Sequence, residues 1–269
     1  MIHKKIAIIG GGNLGTAIAT GLLMSGEVAP GNLAVTRRRS ELLKNLKDLG
    51  IHTGSDNQEV VKKADIVILA VKPYQVIEIL KNILPVLNGD KILISLVAGV
   101  DLKELSAVTG GTIPVFRAMP NTAIALRESM TLISTSGSDE GKRQVVIDLF
   151  NKMGKTALIP DELMAAATVL ASCGIAYALR YIRAAMQGGV EIGFGAELAQ
   201  FITAQTVLGA SRLVLETGNH PEKEIDKVTT PRGVTITGLN EMENKGFSAS
   251  LIQGLLVSYK KIEKLENPG

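Results

Sequence analysis

At 269 residues, 46% hydrophobic and 20% charged, the chain has enough apolar content to bury a real core and does not have the makeup of a disordered polypeptide. A formal charge of +3, 3% aromatic residues and no Trp argue against a nucleic-acid surface built on basic patches and stacking rings. The single cysteine, Cys173, excludes an intramolecular disulfide and cannot make a zinc site alone, and His3, His52 and His220 do not pair at metal-ligand spacing.

In chain order, residues 5–9 are a short apolar run that stops at glycines, the pattern of a buried strand. Residues 14–24 predict a helix with Ala17, Ala19 and Gly21 on the face set against a sheet. Residues 32–36 predict a second strand, and 40–49 a polar-faced helix with Gly50 as C-cap. An apolar strand at 66–71 stops at Lys72-Pro73, followed by a helix at 74–84 and a strand at 91–97. Strands at 112–117 and 130–134, a helix at 139–153 and a strand at 155–159 complete this half. Strands that are apolar on both faces and alternate with helices predict a parallel sheet covered on both sides, the doubly wound α/β class of Rossmann type.

The pattern changes near Pro160. Residues 161–187, 196–217 and 248–264 are long helical stretches rich in Ala, Leu, Val and Ile, with no strand among them. The expected organisation is an α/β domain over residues 1–160 and an all-helical domain over 161–269. Many helical positions are small and apolar with little polar face, which predicts a homodimer interface. Segment 164–181 is expected to be a buried or intersubunit helix: it is interrupted by Ser172, Cys173 and Gly174, ends among Arg180 and Arg183, and is too weakly hydrophobic for a membrane span. The run at 6–9 is too short for a secretion signal, so the expected location is cytoplasmic. Cys173, in this apolar stretch with no His nearby in sequence, is expected to be a buried structural thiol.

Gly10-Gly11-Gly12-Asn13-Leu14-Gly15 fits G-x-G-x-x-G, directly after the first strand and at the start of the first helix. Gly10 permits the tight turn, Gly12 lets the backbone approach a pyrophosphate, and Gly15 lets helix and strand pack closely. The helix N-terminus supplies free N–H groups and positive dipole. At the end of the second strand, where NAD enzymes place a carboxylate, stands Thr36, followed by Arg37, Arg38 and Arg39. That favours NADPH over NADH, with Arg37 and Arg38 nearest the strand end as the phosphate ligands. Ligands of this fold bind beyond the carboxyl ends of the strands, which adds Ala70-Val71-Lys72-Pro73, Ala98-Gly99 and Met119-Pro120-Asn121. Lys72 reads equally well as a surface lysine.

Together these segments resemble the pyrroline-5-carboxylate reductase family over nearly the whole chain. Asn57 with Glu59-Val60 resembles its N-x-E segment, Val71-Lys72-Pro73 its V-K-P turn, Ser95 with Ala98-Gly99 its S-x-x-A-G, and residues 117–122 its R-x-M-P-N-T. Ala176-Tyr177, Gly189-Val190, residues 205–210 and His220-Pro221 follow in family order, and residues 228–235 resemble its V-T-S-P-G-G-T-T substrate loop. The resemblance implies reduction of the cyclic imine Δ1-pyrroline-5-carboxylate to L-proline by NADPH. It also implies Asn57 as a cofactor contact, an intertwined dimer and often a pentamer of dimers. By resemblance Thr235 donates or relays a proton, while Thr230 and the N–H groups of Gly233 and Val234 bind the substrate carboxylate. The same stretch also reads as a helix-start loop with Thr230 as N-cap.

The substrate half departs from the family pattern. Arg232 stands where a second Gly is usual and Val234 where Thr or Ala is usual; the family's G-S-G-P-A-Y becomes Ser172-Cys173-Gly174-Ile175-Ala176-Tyr177, losing a Gly and a Pro, and Arg183 stands where a Glu is common. These changes leave open a related cyclic imino acid, such as piperideine carboxylate, or a non-catalytic NADPH-binding sensor. A 3-hydroxyacid dehydrogenase shares the layout, but residues 177–195 lack the Lys and Asn that family uses.

Overall fold

The computed structural model describes residues 3–135, 137 and 140–266. Contacts divide the chain into two compact units, Met1–Cys173 with Tyr259–Gly269, and Gly174–Ser258. The cut falls inside the helical stretch that follows Pro160, because residues 161–173 fold back onto the sheet. Asp161 Oδ1 accepts from Arg117 Nη1 at 2.9 Å and from Ser134 Oγ at 2.6 Å, and its Oδ2 accepts from Leu102 N at 3.0 Å. Ser172 Oγ donates to Pro120 O at 3.0 Å.

The first unit is an eight-stranded sheet in the order β3-β2-β1-β4-β5-β6-β7-β8. The strands are β1 (Ile6–Ile9), β2 (Leu33–Thr36), β3 (His52–Gly54), β4 (Ile66–Leu69), β5 (Ile92–Ser95), β6 (Val115–Met119), β7 (Ser129–Thr135) and β8 (Gly154–Leu158). Helices α1 (Asn13–Met24), α2 (Lys44–Asp48), α3 (Asn57–Lys63), α4 (Pro73–Ile83), α5 (Leu102–Thr109) and α6 (Glu140–Asn151) connect them. The first six strands are the parallel Rossmann arrangement, with β1 at the point where strand order reverses. One correction applies to the sequence expectation: β7 runs antiparallel to β6. The link between them holds only a 3-10 turn, Thr122–Leu126, and a parallel return needs a crossover of a dozen residues or more. The helix predicted over 139–153 is described as Glu140–Asn151, and its first predicted residue, Asp139, lies outside the described residues.

Successive strand residues point to opposite faces, so the all-apolar strands build two cores. Ile6, Ile8, Ile66, Ile68, Ile92 and Ile94 pack with Ile18 and Leu22 of α1 and Leu149 and Phe150 of α6. Ala7, Ile9, Val67, Leu69 and Leu93 pack with Val60 and Val61 of α3, Val76 and Leu80 of α4, and Leu105 of α5. Burial of each large aliphatic side chain stabilises by about 1.5–3 kcal/mol. Because both faces are covered, the carboxyl edge of the strands is left to carry the chemistry.

After Asp161 the chain forms α7 (Met164–Ala167), a π-helical turn (Thr168–Cys173) and α8 (Gly174–Glu191). Cys173 sits in that turn half-buried, which corrects the expectation of a buried thiol: the side chain lies at the end of the segment that packs on the sheet. There follow α9 (Ala196–Thr217), α10 (Pro221–Lys227), α11 (Val234–Asn244) and α12 (Phe247–Glu266). Among the described residues, Ala199 is the sole buried hydrophobic of the second unit. Leu179, Ile192, Leu198, Phe201, Leu213 and Leu251 are all exposed. Helices Asp161–Glu191 and Ala196–Thr217 each contain an 18-residue stretch, of mean hydropathy 1.6 and 1.2, that is long and apolar enough to cross a bilayer by length and composition only.

Candidate active site

At the carboxyl edge of β1, β2 and β4 lies a cleft of about 740 Å³. It brings together Gly10, Gly12, Asn13, Arg37, Arg38, Asn57, Ala70, Val71 and Lys72. Ser55, Gln75, Glu78 and Ile79 line it too, though no motif pointed to them. The last three stand at i, i+3 and i+4 on α4, a helical-face spacing that follows directly from the Lys72-Pro73 start and could have found them.

The glycine loop is shaped by its own contacts. Gly10 has φ +108°, and a Cβ there would lie 2.3 Å from Ala70 O. A Cβ on Gly15 would lie 2.1 Å from Gly10 O, so the helix approaches the strand as closely as glycine allows. Gly12 is different: a Cβ on it would meet nothing within 4 Å. The space over Gly12 is therefore open on the protein side, as a bound pyrophosphate requires.

Helix α1 begins with Gly12 as N-cap, with no side-chain cap and no acidic residue in its first turn. Its first ladder bond is Thr16 N to Gly12 O at 2.9 Å, so the N–H groups of Asn13, Leu14 and Gly15 lack intrahelical acceptors. By contrast, Asp56 caps α3 by accepting from Gln58 N and Glu59 N, and Asp101 caps α5 by accepting from Glu104 N. Among these three starts that of α1 alone has no side-chain cap; it lines the cleft and is suited to an anion.

Arg37 Nη1 donates to Gly11 O at 3.0 Å, which seats one arginine beside the glycine loop. Lys72 is exposed, serves as N-cap of α4, and lines the cleft. Pro73 is the first residue of that helix. Leu14 and Gly15 belong to α1, where Gly15 is buried against β1.

Ala98 and Gly99 follow β5, and Met119 ends β6, farther along the same edge. Gly99 has φ +78° and lines a separate cleft with Arg117 and Asp161. The Asn121 side chain is committed within the protein. Its Oδ1 accepts from Ala123 N at 3.0 Å and its Nδ2 donates to Ala171 O at 3.3 Å, so it holds the Met119-Pro120 turn in place.

The second unit carries the remaining candidates. Glu224 of α10 takes Lys227 Nζ on both carboxylate oxygens, at 2.7 and 2.8 Å, and Asn219 Nδ2 at 2.6 Å. These bonds, the lysine's first, hold its carboxyl below the usual range. They fix α10 ahead of the loop. Thr230 O accepts from Gly233 N at 2.9 Å, closing a four-residue turn with Pro231 second and Arg232 third at φ +59°. The third position of such a turn requires positive φ, which suits Gly, so Arg232 occupies a conformation costly for a side chain. Gly233, not Thr230, is the N-cap of α11, because the turn closes before the helix begins. Val234 and Thr235 open the helix, both exposed. Among the described residues no group of three or more His, Cys, Asp or Glu could hold a metal ion.

Residues 161–265 match the family model described as pyrroline-5-carboxylate reductase dimerisation, and residues 5–99 match the model described as NADP oxidoreductase, coenzyme F420-dependent. Pyrroline-5-carboxylate reductase 2 of Dictyostelium discoideum is 41% identical over 278 residues, covering 97% of this chain and 93% of that protein. The chain belongs to the pyrroline-5-carboxylate reductase family. Reductase 1 of the same organism is also 41% identical, over 98% of this chain, which spans half of that protein's length. The structure of the Plasmodium falciparum pyrroline carboxylate reductase with NADP bound superposes with a TM-score of 0.89 at 26% identity, covering 99% of this chain and all of that one. Membership makes the protein an oxidoreductase of the NAD(P)-dependent kind, with a helical segment matched to the family's dimerisation model.

Proposed function

We propose that the protein reduces Δ1-pyrroline-5-carboxylate to L-proline with NADPH. The observation that carries this reading is 41% identity to a reductase of that name across both units. The open backbone at Gly12 and the uncapped start of α1 support it. In this reading residues 1–160 hold NADPH, and residues 161–269 form the homodimer and bind the cyclic imino acid. The exposed apolar residues of α8 and α9 are then subunit contacts rather than bilayer contacts, and the protein is a cytoplasmic dimer that can assemble further into a decamer.

NADPH supplies hydride to the carbon of the C=N bond. The protein holds the small ring in reach and delivers one proton to the imine nitrogen, so that the product is the neutral ring amine before further protonation. Thr235 is assigned that proton step. Thr230 and the N–H groups of Gly233 and Val234 are assigned the substrate carboxylate, as the start of an 11-residue helix favours an anion. The backbone of Ala98, Gly99, Met119, Pro120 and Asn121 is assigned to the nicotinamide end. Arg37 and Arg38 are assigned to the 2′-phosphate.

Purified protein is expected to oxidise NADPH when given pyrroline-5-carboxylate, and Thr235→Ala to lower kcat by about 100-fold with NADPH affinity unchanged. Equal turnover by the variant removes Thr235 from the chemistry. Preference for a six-membered ring in a panel of cyclic imines moves the substrate to piperideine carboxylate. Tight NADPH binding without turnover of any imine would identify a sensor.

The two arginines are expected to behave differently. Arg38→Ala should weaken NADPH by about tenfold and leave NADH untouched, since a charge-assisted phosphate contact contributes about 1.5–3 kcal/mol. Arg37→Ala should weaken both nucleotides, because Arg37 also holds Gly11 O. Titration of each variant with both cofactors checks this, and identical losses for NADPH and NADH in Arg38→Ala would refute it.

A further inference from the structure

Thr36 is the last residue of β2 and is 1% exposed. It occupies the position where NAD enzymes carry a ribose-binding carboxylate. In this chain its groups are used internally. Its carbonyl accepts from Gly10 N at 3.0 Å and Gly11 N at 2.8 Å, so it holds the turn of the glycine loop. Its hydroxyl donates to Asn57 Oδ1 at 2.7 Å.

Asn57 opens α3, but Asp56 already caps that helix, so the Asn57 side chain is not needed there. It lines the cleft instead. An asparagine amide has one acceptor oxygen and one NH₂ donor. A buried hydroxyl must place its proton on an acceptor, and here that acceptor is Asn57 Oδ1. With the oxygen engaged, the amide is fixed in one of its two orientations, and Nδ2 is the end left to the cleft. A carboxylate at position 36 would do the reverse: it would draw Nδ2 inward and repel a phosphate.

We propose that Thr36 is a positioning residue for the adenosine end of the cofactor. It acts through Asn57, turning that amide so that its N–H donors meet oxygen acceptors of a phosphorylated ribose. The proposal rests on the reading that this cleft holds a nicotinamide dinucleotide, and it extends that reading to how the 2′-phosphate is told from a hydroxyl.

The test uses the full chain and dissociation constants for NADPH and NADH, with kcat and KM measured alongside. Thr36→Val deletes the hydroxyl and keeps the carbonyl that holds the loop. It is expected to raise the NADPH constant about tenfold, to change NADH by under about threefold, and to leave kcat within about twofold, the tenfold corresponding to ~1.4 kcal/mol. Thr36→Ser keeps the donor and is expected to bind NADPH as the parent does. In an Asn57→Ala background, Thr36→Val is expected to add under about twofold, since two residues acting through one contact are not additive. Asn57→Asp keeps an acceptor for Thr36 but loses the donor, so it should fold normally and bind NADPH weakly even if Thr36→Val does not fold.

Unchanged NADPH affinity in Thr36→Val, equal loss for both cofactors, or additive losses in the double variant would overturn the proposal. If Asn57→Ala itself binds NADPH as the parent does, Asn57 is not a cofactor ligand and the proposal fails with it. If the parent chain binds neither nucleotide, the functional reading falls first. Parent binding with a weak Asn57→Ala and an intact Thr36→Val sinks only the role of Thr36.

Discussion

Gly12→Ala is expected to fold with unchanged stability and to lose NADPH affinity by about 100-fold, or ~2.7 kcal/mol. The backbone at Gly12 is extended, with φ −85° and ψ −164°, a conformation any residue adopts. An added methyl would touch no protein atom within 4 Å. No packing contact requires glycine there, and under the proposed function the methyl would meet the phosphates of the cofactor instead. The neighbouring glycines give the contrast. Gly15→Ala would drive a methyl to 2.1 Å from Gly10 O, and Gly10→Ala would combine φ +108° with a 2.3 Å approach to Ala70 O. Both are expected to reduce stability by several kcal/mol as well as binding. Urea titration separates the two classes, and NADPH titration by nucleotide fluorescence reads the loss. A Gly12→Ala protein with parental affinity would mean that the pyrophosphate does not cross this loop.

Asp161→Ala is expected to cost about 3 kcal/mol, the range found when one partner of a buried ion pair is removed. Arg117 is almost fully buried, and its Nη1 donates to Asp161 at 2.9 Å. The same carboxylate takes the Ser134 hydroxyl and the first N–H of α5. One side chain therefore joins β6, β7 and α5 to the start of the helical segment. Adding Arg117→Met to Asp161→Ala is expected to restore part of the loss, because the buried guanidinium is then removed together with its carboxylate. The urea midpoint with an unchanged denaturant slope is the measurement. A loss under about 0.5 kcal/mol in the single variant would show that water replaces the carboxylate, and that the clasp is not needed.

Much of the fold was readable because its signals are local. Residues 66–69 are apolar at every position and 92–94 likewise, with all of 66–69 and 92–95 buried, which a parallel strand covered on both faces demands. The elements that escaped are short. β3 has three residues, none buried, and therefore no apolar pattern to detect. α3 and α5 have seven and eight residues, too few for a clear helical period. Each nevertheless begins with Asp followed three residues later by Glu, a start signal that was present at Asp56 and Asp101. α10 and α11 lie in polar sequence with no buried residue, so the expected contrast between faces is missing.

The dinucleotide loop was legible because its chemistry is contiguous: strand, glycine turn and uncapped helix start follow one another within ten residues or so, and backbone geometry alone forces the pattern. Composition likewise determined that the carboxy-terminal half is helical and short of polar surface. Tertiary structure decided what depends on distant partners. Thr36 meets Asn57 across 21 residues and Arg117 meets Asp161 across 44. It also set the reversed direction of β7 and the half-exposed state of Cys173. A hydroxyl or carboxylate carries no sign in sequence of which groups will take its hydrogen bonds; only the packed sheet, by burying Thr36 and Arg117, brings each against the partners that satisfy it.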